Sequence, residues 1–231
     1  MKVSCPSIAI VGAGIGGLAL SSCLRKVGIE TIIYEQAPKF SRVGAGIQMS
    51  PNAMRVLNGI GVGQKLRAHA FEPPHFRSRD FDTGILTNDH PLGPNAIERY
   101  GVHYLLMHRG DLHAALHEVV PDNTIQYAHK LIGIDQSNDS VTLQFENGKK
   151  AVHGAVIAAD GVHSPIRKWM LGGEGAKFTE RLAYRTAFPA SLMNGYELMD
   201  ECVKWWGPDR HIIIYYVTAA RDEIYFTTSQ P

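Results

Sequence analysis

Cys202, His211 and Tyr215 can each exchange a proton or hydrogen-bond a polar ring. They fall in two apolar or aromatic runs, Cys202 to Trp206 and His211 to Tyr216, separated by Gly207-Pro208-Asp209-Arg210. A hairpin with a four-residue loop sets Trp206 opposite His211 and Cys202 opposite Tyr215. Strand side chains alternate between faces, so His211, Ile213 and Tyr215 share one side with Cys202, Lys204 and Trp206. A phenol and an imidazole close together can hold a hydroxylated ring and help remove its proton, which raises the ring's electron density for electrophilic attack. Spacing alone favours a plainer reading, in which Tyr215 and His211 are amphipathic sheet residues and Cys202 is a small buried hydrophobe.

A second constellation stands near the N-terminus. The β-branched run Ile8 to Val11 breaks into Gly12-Ala13-Gly14-Ile15-Gly16-Gly17, and Glu35 closes the next apolar run. Gly12 permits a tight turn out of the strand. Gly14 removes the side chain that would keep a pyrophosphate from the backbone, Gly16 belongs to the same turn, and Gly17 lets the following helix pack close to the sheet. The pyrophosphate then sits on unpaired N–H groups at the positive end of the helix dipole. Glu35 lies about 20 residues on, where a carboxylate accepts hydrogen bonds from ribose hydroxyls. Together these features predict a dinucleotide-binding βαβ unit.

The elements that must position these groups follow from periodicity. A helix is predicted from Gly14 to Lys26, stopped by Gly28, with Thr31 to Tyr34 as the second strand. Ser41 to Ser50 reads as a glycine-punctuated loop containing Arg42 and Gln48, and Pro51 to Gly59 starts a helix with Ser50 as its cap. His75 to Leu92 reads as a β-hairpin around Asp82-Thr83-Gly84. Another helix opens at Met107 to Leu112 and ends before Pro121. Thr124 to Tyr127, Leu131 to Asp135 and Val141 to Phe145 read as antiparallel strands, and Ala155 to Ala159 as a buried parallel strand ending at Asp160-Gly161. Asp160 then has two open readings, a ligand contact at the carboxyl end of a strand or a cap for the helix through Trp169. The fold class expected is α/β, a Rossmann-like domain with an interleaved antiparallel β-sheet domain. The nucleotide-binding part is expected at residues 1–74 and 98–175, and a substrate domain at 75–97 and 176–231.

Composition narrows the class. The chain has 231 residues, 45% hydrophobic and 19% charged, which suits one large or two modest domains with a real core. A net charge of +1 without basic runs gives no field for nucleic acid or an anionic membrane. Cys5, Cys23 and Cys202 have unrelated spacings and no CxxC, which points to reduced thiols, a cytoplasmic location and no metal site. No apolar run approaches the ~20 residues that span a bilayer. Small-molecule chemistry is the expectation that remains.

Gly12 to Gly17 with Glu35, Arg42 with Gly44-Ala45-Gly46-Ile47, Arg109-Gly110-Asp111-Leu112, and Asp160-Gly161-Val162-His163-Ser164-Pro165-Ile166-Arg167 resemble the single-component, FAD-dependent aromatic hydroxylases. The segment from Cys202 through Trp205-Trp206 to Asp209-Arg210-His211 and Tyr215 is similar to the branch that decarboxylates and hydroxylates a pyridine ring. The resemblance implies that Glu35 binds the adenosine ribose, Gly12, Gly14 and Gly17 the pyrophosphate, and Arg42 and Arg109 the phosphate and ribityl region. On their own, Arg42 and Arg109 read as surface arginines. Asp160 would serve FAD and NAD(P)H binding, and Tyr215, His211, Gln48 and Cys202 the substrate, with Tyr215 or His211 as the base.

The implied reaction is NAD(P)H- and O2-dependent hydroxylation of a hydroxylated aromatic or pyridine carboxylic acid, with a 6-hydroxynicotinate-like acid favoured and a homodimer open. Two departures keep alternatives in view. Gln48 stands where that branch has a histidine, and an amide is no base near neutral pH, so salicylate or hydroxybenzoate is a neighbouring substrate. The family's later Gly-Asp motif, followed by Ala and His, is not found. The expectation is therefore a chain shortened at its C-terminus, with the Glu223 to Ser229 strand lacking neighbours, and a non-catalytic nucleotide-binding remnant is the alternative.

Overall fold

The computed structural model describes residues 7–42, 44–173 and 175–231, so Cys5 lies outside the described residues. In chain order the first elements are β1 (Ile8–Val11), α1 (Ile15–Lys26), β2 (Thr31–Tyr34), β3 (Gly46–Met49), α2 (Pro51–Ile60) and α3 (Gly63–His69). The hairpin β4 (His75–Asp80) and β5 (Leu86–Pro91) leads to α4 (Pro94–Tyr100), β6 (Leu105–His108) and α5 (Arg109–Glu118). There follow β7 (Ile125–Gln126), β8 (Leu131–Gln136), β9 (Val141–Phe145), β10 (Lys150–His153), β11 (Ala155–Ala158) and α6 (Pro165–Leu171). The chain closes with β12 (Leu182–Pro189), β13 (Cys202–Trp206), β14 (His211–Tyr216) and β15 (Glu223–Gln230).

These elements form two compact units, one of residues 1–41 and 116–177, the other of residues 42–115 and 178–231. Residues 42–74 and 98–115, expected with the nucleotide-binding domain, fall by this division in the second unit. The second unit's two-stranded ribbon of β3 and β6 accounts for this, because it ties residue 46 to residue 108 across the helices between them.

The first unit is built on a parallel sheet in the order β11-β1-β2-β7. Its strands are short and apolar, as strands covered on both faces must be. β7 pairs in parallel with β2 through Ile33–Ile125 and Tyr34–Gln126, so the segment at Thr124 to Tyr127 is not antiparallel as expected. Two residues are too few for alternation to declare a partner. β8, β9 and β10 form the antiparallel sheet. Between the two sheets lie Ala9, Val11, Tyr34, Leu143, Phe145 and Ile166, a core in which each fully buried aliphatic side chain contributes about 1.5–3 kcal/mol.

The second unit carries a six-stranded sheet in the order β12-β15-β14-β13-β4-β5, in which β13 and β4 run parallel and every other pair antiparallel. The hairpin register is as predicted, with Trp206 opposite His211 and Lys204 opposite Ile213. β15 has a neighbour on each side, β12 and β14, which corrects the expectation of an unpaired strand. Its second partner, Leu182 to Pro189, has an almost wholly exposed pattern, so no buried face marks it in the sequence. Gly46 to Met49, read as loop, is the strand β3, while the predicted helix opening at Met107 begins only at Arg109, after β6. Ser50 occupies the N-cap of α2, but its hydroxyl bonds Asn52 Oδ1 rather than a backbone N–H. Phe71, Leu106, Cys202, Tyr215, Tyr216 and Ile224 form the heart of this unit's core.

Candidate functional site

In the first unit, β1 delivers the chain to Gly12 at φ +105°, a conformation that favours glycine. A Cβ on Gly12 would lie 2.3 Å from the Ala159 carbonyl oxygen, and one on Gly17 would lie 2.0 Å from the Gly12 carbonyl oxygen. These two glycines therefore serve the packing of α1 against the strands. Gly14 and Gly16 face open space, with nothing within 4 Å of an added Cβ. Gly14 is the N-cap of α1 and supplies no side-chain cap, so the first N–H groups of the helix remain available to an anion.

Glu35 is fixed by two backbone donors. Ala13 N–H donates to its Oε2 and Ala37 N–H to its Oε1, both at 2.8 Å. This clamp joins the end of β2 to the glycine turn and leaves further lone pairs on each oxygen for ribose hydroxyls. Gly12, Gly14, Glu35, Asp160, Gly161 and His163 all line one cleft of about 480 Å³. A glycine cradle, an uncapped helix start and an oriented carboxylate fit the dinucleotide end of FAD.

Asp160 makes the contact expected of a residue that caps the next helix, and it also borders the cleft. Its Oδ2 accepts from Ile166 N–H at 3.2 Å, while Ser164 Oγ, at the N-cap position of α6, accepts from Arg167 N–H at 2.9 Å. Asp160 thus steadies the first turn of α6 and lines the cleft as well. His129 and Lys130 line the same cleft and carried no signal in the sequence, because they precede β8 in an irregular segment.

The other expected sites lie in the second unit. Arg42 makes a two-pronged ion pair with Asp111, Nε to Oδ1 at 2.5 Å and Nη2 to Oδ2 at 3.1 Å, with Glu223 at 3.8 Å. The hydrogen bond from Arg42 to Asp111 holds the guanidinium above its usual range. Arg109 donates its backbone N–H to Ala45 at 2.7 Å, and a Cβ on Gly44, at φ +148°, would lie 2.9 Å from the Arg109 Cβ. Gly46 is needed for a similar reason, since its Cβ would lie 2.3 Å from the Tyr225 ring.

Gln48 gathers the polar groups of this unit. Its Oε1 accepts the Tyr104 hydroxyl proton at 2.8 Å, its Nε2 donates to Cys202 Sγ at 3.5 Å, and its side chain also donates to the Tyr215 oxygen. The Tyr225 ring packs 5.0 Å from that of Tyr215, centroid to centroid. Burial raises all three titratable groups: the Tyr215 phenol, the Tyr104 phenol and the Cys202 thiol, the last also opposed by Glu201. Burial therefore favours the uncharged form of every titratable member of the cluster.

His211 does not join this cluster. It shares a face with Tyr215, but four residues along a strand at ~3.3 Å each separate the two by about 13 Å. His211 instead packs 5.2 Å from Trp206, over whose ring the Lys204 ammonium sits at 3.5 Å. Desolvation and the nearby charges of Lys204 and Arg181 hold the imidazole below its usual range, and so neutral. Tyr104 is the functional candidate that the sequence reading missed. The register that sets Gln48 opposite Leu106 makes Tyr104 its diagonal neighbour on the same face, a relation visible only once β3 is recognised as a strand.

Among the described residues, no group of three or more His, Cys, Asp or Glu side chains is arranged to hold a metal ion, and no helix is long and apolar enough to cross a membrane. The chain is 42% identical to 6-hydroxynicotinate 3-monooxygenase of Bordetella bronchiseptica and 41% identical to the protein of that name from Pseudomonas fluorescens, in each case over 98% of this chain and 59% of the relative. It therefore spans less than two thirds of the length of these curated relatives. The structure of Klebsiella pneumoniae HpxO complexed with FAD and uric acid superimposes with a TM-score of 0.81 at 25% identity, over 96% of this chain and 56% of that one. Residues 6–185 match the pattern of the family described as FAD binding domain, and with the glycine cradle and clamped Glu35 in place the chain belongs to that family.

Proposed function

We propose that this chain acts in an FAD-dependent monooxygenase that uses NAD(P)H and O2 to hydroxylate a hydroxylated pyridine or benzene carboxylic acid, with a 6-hydroxynicotinate-like acid favoured. The observation that carries the reading is the group of Gln48, Tyr104, Cys202 and Tyr215, joined by hydrogen bonds around one amide. FAD, when bound, supplies electron uptake from NAD(P)H and the activation of O2. The chain supplies position and proton control. Tyr215, held protonated by burial, donates a hydrogen bond to a ring oxygen, and Gln48 and Cys202 shape the same face. Neutral His211 is able to accept a proton, but from a place about four strand residues away.

Residues 1–41 and 116–177 carry the dinucleotide end in this reading, and the part given to Arg42 and Arg109 at the phosphate and ribityl region rests on the family resemblance. A cytoplasmic location and a homodimer belong to the same proposal. Gln48 in place of histidine supports hydroxybenzoate or salicylate as the second choice of substrate, because the amide hydrogen-bonds without taking a proton.

The test begins with the purified chain incubated with FAD and passed through gel filtration. Flavin absorbance that stays with the protein, followed by NAD(P)H oxidation stimulated by 6-hydroxynicotinate more than by 4-hydroxybenzoate or salicylate, is the expected result. A colourless protein that takes up no FAD would leave the chain a non-catalytic remnant and refute the reading.

A further inference from the structure

The Gln48 amide has two ends, and which end meets Tyr215 decides what the site reads. Tyr104 donates its proton to Oε1 at 2.8 Å, which sets Nε2 on the side of Cys202, 3.5 Å away. A phenol is a better donor than acceptor, because its oxygen lone pair is drawn into the ring. The observed placement therefore satisfies Tyr104 with the stronger of its two capacities. Gln48 lies on β3 opposite Leu106, and Tyr104, the residue just before β6, is its diagonal neighbour across two strands fixed by four paired residues from Gly46–His108 to Met49–Leu105. The backbone thus holds the two side chains together without help from a ligand. Tyr215 is only 2% exposed, so whatever receives its proton is desolvated, and desolvated hydrogen bonds discriminate strongly between partners.

We propose that Tyr104 is a positioning residue that sets the polarity of the substrate site. By holding Gln48 Oε1 it turns the amide nitrogen toward Tyr215, so that Tyr215 receives a hydrogen bond from the protein and gives its own proton to the ligand. The site then selects an aromatic acid with an accepting ring oxygen, an oxo or oxyanion group, over the same acid without it. This rests on the reading of the chain as part of an aromatic-acid hydroxylase. With the amide reversed, Oε1 would take the Tyr215 proton and the ligand would meet only lone pairs.

The test compares equilibrium binding of two probes, 6-hydroxynicotinate and nicotinate, to the FAD-loaded chain by isothermal titration calorimetry. The wild type is expected to prefer 6-hydroxynicotinate by about tenfold or more, the span of one desolvated hydrogen bond. Tyr104→Phe keeps the ring, frees the amide to reverse and is expected to bring the ratio close to one. Gln48→Glu keeps Tyr104 intact while presenting only acceptors to Tyr215, and is expected to abolish the preference in the same way. It carries the test if Tyr104→Phe does not fold. A ratio unchanged in the folded variants overturns the role of Tyr104 and leaves the hydroxylase reading standing. A wild type that binds neither acid, or both equally, overturns that reading and this inference together.

Discussion

Replacing Gly14 and Gly17 separately by alanine should divide the two duties of the glycine turn. A Cβ on Gly17 would lie 2.0 Å from the Gly12 carbonyl oxygen, whereas ordinary contacts begin near 3.4 Å, so α1 must retreat from the strand by more than 1 Å. Overpacking of this kind costs about 1–3 kcal/mol and is at its upper end against backbone. Alanine inside α1 returns about 1 kcal/mol of helix propensity. The net loss is about 2 kcal/mol, which for a chain of this size lowers Tm by ~4–8 °C. Gly14 differs on both counts. Its φ of −71° and ψ of 179° are open to any residue, and nothing lies within 4 Å of the added methyl. Gly14→Ala should therefore leave Tm within ~1–2 °C, since a substitution without new contacts stays within about 0.5 kcal/mol. The same methyl occupies the approach of the pyrophosphate and should weaken FAD binding on the order of 10- to 100-fold. Thermal unfolding without FAD, paired with titration of FAD fluorescence quenching, reads both quantities. Equal loss of Tm in the two variants, or wild-type FAD affinity in Gly14→Ala, would refute the division of labour.

Other perturbations follow from single contacts. Burial holds the His153 imidazole below its usual pKa, and its Nε2 bonds Tyr34 at 2.9 Å while Nδ1 has no partner among the described residues. The unfolded chain thus binds the proton first, so stability is expected to be full above the ordinary histidine pKa of about 6.5 and to fall as pH drops below it. His153→Gln should flatten that slope in urea melts between pH 5 and pH 7, and an unchanged slope would assign it to other groups. Glu201, 4% exposed, accepts from Arg77 at 2.7 Å and Arg79 at 3.5 Å, and Glu201→Gln should lower stability by about 1–3 kcal/mol in the same melts. Tyr215→Phe should retain FAD and slow hydroxylation, whereas unchanged kinetics would remove Tyr215 from the mechanism.

What the sequence disclosed, it disclosed through local rules. The turn from Ile8 to Gly17 is legible because strand, glycines and helix are contiguous, and the Trp206–His211 register because four loop residues close one hairpin. Relations between distant segments were not legible. β13 beside β4 in parallel, and β12 beside β15, join segments whose polar and apolar patterns name no partner. Tyr104 escaped for the same reason, since Gln48 and Tyr104 are 56 residues apart and meet only through the β3–β6 ribbon. His211 shows the opposite error. Alternation places it on the face of Tyr215, but a shared face says nothing of distance along the strand, and its neighbours are Trp206 and Lys204.

The neutrality of the Gln48 cluster bears on how an acid is received. Tyr104, Cys202 and Tyr215 are all pushed toward their protonated forms by burial, and an amide has no proton to exchange in this range. A histidine at position 48 would titrate near neutral pH, whereas Gln48 presents the same donors and acceptors on both sides of it. Glu201, next to Cys202 in the chain, opposes ionisation of the thiol and is itself held by Arg77 and Arg79. If the proposed substrate is bound at this face, it brings its own negative charge, which an uncharged cluster meets with hydrogen-bond donors. That makes ligand affinity at this face follow the ionisation of the ligand rather than of the protein, so pH profiles for two acids of different ring pKa should be displaced by the difference between those values. Coincident profiles would place the controlling proton on the chain instead, with His211 the group to examine first.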